Sequence, residues 1–356
     1  MNKLIAHSSH TIVINCFTDF LKGNVSKNSD PNARKVEGDV MDLPLFELEN
    51  AHALVAGPPC PPWSSAGMRL GEDDPRSEVF LRVVRWVVEL GQRGTLLFFV
   101  LENVPGILTT MRSSHLRFVD KILQIIYSGL PHFSCKVVQL NMSSVLPVER
   151  KRVFIYGLRK DCFENIIPDP LPLLSLSPIR ALDLLDMTLP NIVPGHFNTL
   201  SEKDNLAMYE RHIEELLGKL GTTPDIACVD LQRRFDRVWA PAINFDRFPC
   251  ITTKNRSLFL LSMWDRDEKP GDRMLHRYMS LAERFILQGM RPEYAGFLQK
   301  HAAYNVAGNA CPPPLVAVVA LPLLESIRRA RVDIRRRVTP ADYAELSRKR
   351  PRSEVV

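Results

Sequence analysis

Ala53-Leu54-Val55-Ala56-Gly57-Pro58-Pro59-Cys60-Pro61-Pro62-Trp63-Ser64 is the stretch on which the reading of this chain turns. A short apolar run, as a buried strand shows, stops in a Gly-Pro-Pro turn that carries one cysteine. Proline fixes φ and removes a donor, so Pro58, Pro59, Pro61 and Pro62 make a stiff loop with few conformations to lose. A stiff loop at the end of a buried strand is where a sheet protein holds a reactive group against a ligand. Taken alone, a Pro-Pro-Cys turn reads as a surface loop with an incidental thiol. A second stretch overturns that plainer reading: Thr95-Leu96-Leu97-Phe98-Phe99-Val100-Leu101-Glu102-Asn103-Val104-Pro105-Gly106 is another buried-strand run, and it ends in a carboxylate, an amide and a Pro-Gly turn.

Between the two, apolar residues fall at Phe80, Val83, Val84, Val87 and Leu90, with Arg82, Arg85 and Glu89 interspersed. That 3.6 period predicts an amphipathic helix from Ser77 to Arg93. Strand, helix and strand in order give a βαβ unit with a parallel pair. Cys60 and Glu102 then lie on the sheet edge where open α/β folds form their ligand crevices. Upstream, Thr11-Ile12-Val13-Ile14 reads as a short strand. Downstream, a helix is expected from Ser113 to Ser128, stopped by Gly129-Leu130-Pro131, and then a strand over Lys136 to Leu140. Val148-Glu149-Arg150-Lys151-Arg152-Val153-Phe154-Ile155-Tyr156-Gly157 is a strand led by charge, with Arg150 and Arg152 on one side. By itself it could be a solvated basic edge.

From about Cys162 the texture changes, because Pro168, Pro170, Pro172, Pro178, Pro190 and Pro194 break the chain and only a helix near Glu202 to Leu220 stands out. Arg233, Arg234, Arg237 and Arg247, interleaved with Phe235, Trp239, Phe245 and Phe248, suit phosphate contacts and base stacking; core aromatics under a basic surface is an equal reading. Ser280-x-x-Glu283 is a capping box that opens a further helix. Gly308-Asn309-Ala310-Cys311-Pro312-Pro313-Pro314 places proline in the first turn of a last helix running to about Arg329.

At 356 residues the chain has room for about two domains. A net charge of +6 suits a polyanionic partner, though weakly. Seven cysteines are scattered at 16, 60, 135, 162, 228, 250 and 311 without a C-x-x-C pair, so neither a structural metal nor a disulfide framework is indicated, and a reducing interior is the expected home. No run is apolar and long enough to suggest a membrane partner. The basic tail Arg348-Lys349-Arg350-Pro351-Arg352 reads as a nuclear-import signal or as a solvated end.

Gly57-Pro58-Pro59-Cys60 followed by Glu102-Asn103-Val104 resembles the catalytic core of the cytosine-C5 methyltransferases of nucleic acids, with Pro61 where the family usually has glutamine. Arg150 and Arg152 match the family's Gln-x-Arg-x-Arg element, Val148 replacing the glutamine. Arg277 to Gly289 resembles the element that closes the recognition region, and Gly308-Asn309 the last motif. The resemblance implies an α/β, Rossmann-like S-adenosylmethionine-dependent methyltransferase sheet with a smaller target-recognition domain. On that pattern the catalytic domain spans 1–160, the recognition region 161–278, a return segment and final helix 279–335, and the basic tail 336–356.

The resemblance further implies a mechanism. Cys60 adds to C6 of cytosine, Arg152 holds O2 and supplies positive charge beside the thiolate, and Glu102 sits on N3 and N4, with Arg150 in the same catalytic set. S-adenosylmethionine would be bound through Asp39, Pro59 and Asn309, and duplex DNA would present a flipped-out cytosine. This chain departs from the pattern at its start. It has no Phe-x-Gly-x-Gly-Gly loop, and where an acid should bind the cofactor ribose it has Asn15-Cys16-Phe17. The expectation is therefore a sheet lacking its first strand, N-terminally incomplete. Three readings stay open at this point: a DNA methyltransferase, a degenerate non-catalytic nucleic-acid-binding relative, and a tRNA cytosine-C5 methyltransferase with RNA as partner.

Overall fold

The computed structural model describes residues 3–7, 11–15, 34–36, 40–42, 51–64, 70–109, 116–172, 179–191, 197–233, 243–265, 267–269, 272–333 and 337–348. The chain forms two compact units, one of residues 1–140, 151–172 and 314–356, the other of 141–150 and 173–313.

The first unit holds a seven-stranded sheet. Its strands are β1 (Lys3–His7), β2 (Thr11–Asn15), β3 (Arg34–Val36), β4 (Ala53–Gly57), β5 (Phe98–Asn103), β6 (Phe133–Asn141) and β7 (Lys151–Arg159), in the order β3-β1-β2-β4-β5-β7-β6. β2, β4 and β5 run parallel, and β7 returns antiparallel against β5, with Glu102 opposite Phe154 and Asn103 opposite Val153. The expected βαβ unit is present: α1 (Ser77–Gln92) joins β4 to β5. Its apolar stripe is buried at Phe80, Val83, Val84, Val87 and Leu90, and it packs with Phe118, Ile122 and Ile126 of α2 (Phe118–Gly129) over Leu54, Phe99 and Leu101 of the sheet. β5 is buried at all six positions, which is why its first four residues are continuously apolar rather than alternating, before Glu102 and Asn103 end it. Removing a ring such as Phe99 from this core would cost about 3–5 kcal/mol.

The N-terminal part differs from expectation. The sheet position beside β4 is filled by β2, and β1 pairs with β2 as an antiparallel hairpin in place of a parallel crossover. A direct return after residues 8–10 leaves room for a hairpin turn but not for a strand–loop–helix crossover, which needs a dozen residues or more. The strand predicted over Thr11 to Ile14 is thus present and pairs with β4, and β1 and β3 lie beyond it in the sheet.

The second unit contains α3 (Leu200–Leu217) and a four-stranded antiparallel sheet of β8 (Ile226–Asp230), β9 (Ile243–Phe245), β10 (Leu258–Ser262) and β11 (His276–Tyr278), ordered β11-β10-β8-β9. Leu206, Tyr209 and Ile213 of α3 pack on Ala227, Val229, Phe259 and Leu261 of the sheet. α4 (Leu281–Ile286) opens with the capping box the sequence predicts: Glu283 N–H donates to Ser280 Oγ at 3.2 Å and Ser280 N–H to Glu283 Oε2 at 2.7 Å. Glu283 also carries a buried ion pair with Arg277 of β11 at 2.7 Å. That pair ties α4 to β11, and residues 279–313, including α5 (Lys300–Asn309), fall in the second unit, whereas the sequence grouped them with the first.

α6 (Pro313–Ala330) closes the first unit, where Ser326 Oγ donates to Cys162 C=O at 2.7 Å and Leu171 N–H to Val318 C=O at 3.0 Å. A short α7 (Pro340–Arg348), not expected from the sequence, follows it. Among the described residues no single helix is long and apolar enough to cross a membrane, and no group of three or more metal-ligating side chains occurs.

Candidate active site

β4 ends at Gly57, and the proline-rich turn follows at once. The Cys60 carbonyl accepts from Trp63 N–H and Ser64 N–H, each at 3.0 Å, which closes the turn and leaves the thiol half-buried. Trp63 anchors it below. Its indole is 6% exposed and packs against Phe118 at 4.5 Å and Phe80 at 5.8 Å between ring centroids. The turn is also tied sideways to β5. Asn103 Nδ2 donates to Pro58 C=O at 3.2 Å, while Asn103 Oδ1 accepts from Val104 N–H at 2.9 Å. Asn103 is 1% exposed, so the bond to Pro58 forms away from water and fixes the two strand ends relative to each other, while the bond from Val104 holds the amide in orientation. Gly106 shows how close the two turns lie: a Cβ there would meet the Trp63 carbonyl oxygen at 2.0 Å. Any side chain at that position would push the Pro105-Gly106 turn off the cysteine turn.

Glu102 and Arg152 form the charged part of the site. Arg152 Nε lies 2.7 Å from Glu102 Oε1, with the two side chains 11% and 12% exposed, and Arg152 Nη1 donates to Lys151 C=O at 2.7 Å. A nearly buried ion pair with a small exposed edge can still exchange partners with an entering polar ligand, because the carboxylate and guanidinium present further lone pairs and donors.

Arg150 belongs to the second unit and is 1% exposed. Its Nη1 donates to Ile251 C=O at 2.8 Å and to Cys250 Sγ at 3.3 Å, and its Nη2 to Ala310 C=O at 2.6 Å and Gly308 C=O at 3.2 Å. The structure therefore does not bring Arg150 together with Glu102 and Arg152 through these bonds; it makes Arg150 a strut between two segments of its own unit. Asn309, the last residue of α5, is exposed in that same unit. Pro59 sits half-buried in the cysteine turn, and Asp39 lies outside the described residues. Of the basic and aromatic cluster, Arg234, Phe235, Arg237 and Trp239 also lie outside them, Phe248 is fully buried, and Arg233 is exposed beside Asp230 at 3.4 Å.

Arg76 is the residue that sequence reading missed. Its Nε and Nη2 donate to Asp74 Oδ1 and Oδ2 at 2.8 and 2.6 Å, which holds the Asp74 carboxyl below the usual range. The Arg76 guanidinium is raised in turn, first by the Asp74 bond, with a smaller contribution from the charge of Cys60. An acid two residues ahead of an arginine at a helix start was the available signal.

The family model for C-5 cytosine-specific DNA methylases matches residues 21–325. The chain belongs to this family. It is 23% identical over 312 residues to the type II methyltransferase M.FnuDI of Fusobacterium nucleatum, covering 83% of each chain. It is 39% identical over 116 residues to the type II methyltransferase M.MthTI of Methanothermobacter thermautotrophicus, 32% of each. A triple mutant of DNMT2 from Spodoptera frugiperda superposes with a TM-score of 0.54 at 15% identity, covering 85% of this chain and 88% of that one. A prophage-encoded DNA modification methyltransferase (E. coli) gives 0.52 at 17% identity, covering 84% and 87%. These two likenesses establish the Rossmann-like fold of a C5 methylase.

A C5 methylase uses S-adenosylmethionine as methyl donor. Pro59 stands at the end of β4 beside Cys60, and the stretch that follows β2, which the parallel register of Asn15 with Gly57 brings to the same end, lies outside the described residues and carries no Phe-x-Gly-x-Gly-Gly sequence.

Proposed function

We propose that this protein is a DNA (cytosine-5-)-methyltransferase acting through a covalent Cys60 adduct. The observation that carries the reading is the Glu102–Arg152 pair at 2.7 Å, on the strand that Asn103 ties to the Cys60 turn. Cytosine C5 is a poor nucleophile until a thiolate has added at C6 and made C5 an enamine carbon. Cys60, in a stiff half-exposed turn, is the nucleophile of this reading. Arg152 would meet the cytosine O2. As it turns toward that oxygen, Glu102 loses part of its counter-charge, its proton affinity rises, and it can hold the proton that N3 needs as charge develops. S-adenosylmethionine is the proposed source of the electrophilic methyl group. Loss of the C5 proton to a base then expels Cys60 and restores the aromatic ring. In a duplex the base must first leave the stack, at a cost of a few kcal/mol that the pocket contacts offset. Nuclear import through the basic tail, which beyond Arg348 lies outside the described residues, is proposed on its charge alone and is tested by deleting 349–356 from a fluorescent fusion.

Methyl transfer from radiolabelled S-adenosylmethionine to cytosine-containing duplex DNA tests the reading. Wild-type protein should transfer label, and Cys60→Ser should transfer none while binding the same duplex within about threefold of wild type. Label transferred only to RNA would move the substrate, and transfer by Cys60→Ser would end the covalent account.

A further inference from the structure

The net charge of the chain is not spread along it. Residues 326–356, which follow the span matched by the family model, hold ten of the 46 lysines and arginines and four of the 40 aspartates and glutamates, a net +6 equal to that of the whole chain. Residues 1–325 therefore carry 36 groups of each sign and no net charge. A basic run is ordinarily a solvated stretch, but here the fold seats the segment on the first unit. Ser326 Oγ donates to Cys162 C=O at 2.7 Å, Val338 N–H donates to Gly94 C=O at 3.2 Å, and Leu346 of α7 is buried. Gly94, just past α1, has φ 78°, and a Cβ there would meet the Val338 carbonyl oxygen at 2.2 Å, so only glycine lets the segment seat at that turn. The arginines near these anchors point outward. Arg328 and Arg329, in the last turn of α6, are 74% and 76% exposed and share the one carboxylate of Glu325, each Nε at 2.7 Å, so the pair stays positive. Arg331 and Arg337 are exposed, and so is Arg93, which the Gly94–Val338 bond sets beside Arg337 in the backbone. Of the nearby acids, Asp342 is taken up in capping α7 through Thr339 N–H at 2.7 Å, and Asp333 and Glu345 are exposed.

We propose that Arg328, Arg329, Arg331 and Arg337, continued by Arg93, form an accessory surface that holds the phosphate backbone of duplex DNA without reading its sequence. The chain belongs to a family of DNA methylases, which selects DNA among polyanions, and the guanidinium fork matches phosphate oxygens. The contact is non-covalent and does not need the Cys60 chemistry proposed above. Cations that neutralise phosphates release the counter-ions condensed on the duplex, so such a surface shows itself as a steep dependence of affinity on salt. An anionic membrane is the competing occupant, because Leu321 and Leu324 are also exposed on α6.

Fluorescence anisotropy with a labelled dA·dT duplex of about 30 base pairs tests the surface by itself, since that duplex holds no cytosine for the active site. The variant carrying Arg328→Gln, Arg329→Gln, Arg331→Gln and Arg337→Gln should bind about tenfold more weakly than wild type at about 0.1 M salt, and the slope of log K against log salt should fall by about three. Arg93→Gln alone should weaken binding about twofold. The four substitutions should have about the same effect in a chain from which 349–356 have been deleted, which separates this surface from the tail. Equal affinity and slope for wild type and the fourfold variant overturn the proposal. So does an effect that vanishes with the tail, or binding to phosphatidylserine vesicles tighter than to the duplex. Should the fourfold variant not fold, wild-type protein decides: phenylglyoxal modification mapped by peptide mass spectrometry should show Arg328, Arg329, Arg331 and Arg337 protected by the duplex, and unprotected arginines overturn the proposal equally. Failure of the Cys60 reading is separate, since it would appear as methyl transfer surviving Cys60→Ser whatever the dA·dT duplex shows.

Discussion

Arg150 and Arg152 are two residues apart and come from one sequence element, yet they have different physical situations. Arg152 lies in β7 on the Glu102 carboxylate and the Lys151 carbonyl with a small exposed edge, and Arg150 is sealed among three backbone carbonyls and the Cys250 sulfur in the other unit. Same-side alternation along a strand predicts that both point into one pocket. The strand begins at Lys151, so Arg150 precedes it and is free of the alternation. What separates the two is the partner each guanidinium finds: a titratable side chain can be exchanged for a ligand, and backbone carbonyls cannot be without opening the fold.

Truncating each arginine is the sharpest way to break that contrast. Arg152→Ala should lower methyl transfer by about a hundredfold or more while lowering stability by only about 1 kcal/mol, because Glu102 can take up a proton at its exposed edge. Arg150→Ala should do the reverse. Leaving the Ile251, Gly308 and Ala310 carbonyls without their donor should cost about 3 kcal/mol in urea unfolding, with residual activity scaling with the folded fraction. Equal activity losses at equal stability would mean that Arg150 also touches substrate.

Two strand ends of the first unit's sheet offer a second contrast. The end of β4 at Cys60 is built from stiff turns bonded to each other, whereas the sequence supplies no Phe-x-Gly-x-Gly-Gly loop after the neighbouring β2. Calorimetry should therefore give S-adenosylmethionine an affinity for residues 1–356 about tenfold or more below that of a relative carrying the loop, since one lost backbone bond is worth about 1.4 kcal/mol. Affinity equal to such a relative would contradict that account.

A smaller effect belongs to the far side of the core. His132 is fully buried, and burial pushes its pKa from 6.5 down to about 4. Below pH 6.5 the unfolded chain takes up a proton that the folded one refuses, so the stability present above 6.5 declines until about pH 4. Urea midpoints measured at pH 7, 5.5 and 4.5 should fall in that order, and His132→Phe should flatten the part of the slope due to this residue.

Much of the first unit was legible in the sequence. β4, α1 and β5 follow from two apolar runs and a 3.6 period, and Cys60 and Glu102 from the turns that end those runs. The capping box at Ser280 was readable because its residue types and spacing are the interaction itself. The four-stranded sheet of the second unit was not, for a physical reason. β9 and β11 are three residues long, too short to show a period, and β8 and β10 are buried at every position and so do not alternate. The Arg76–Asp74 ion pair escaped because it depends on a salt bridge across two residues, which does not follow from the hydrophobic pattern. The boundary at Pro313 depends on where the Arg150 and Glu283 side chains land, and that too is a tertiary fact.

Covalent capture tests the central claim most directly. A duplex with 5-fluorocytosine at the target cannot lose its C5 substituent after methylation, so a Cys60 adduct at C6 stays trapped. Incubated with S-adenosylmethionine, wild-type protein should give a denaturation-resistant band whose peptide map places the link on Cys60, and Glu102→Gln should trap more slowly for want of the proton at N3. A link at Cys250 or Cys311, or no adduct from folded protein with donor bound, would contradict the account.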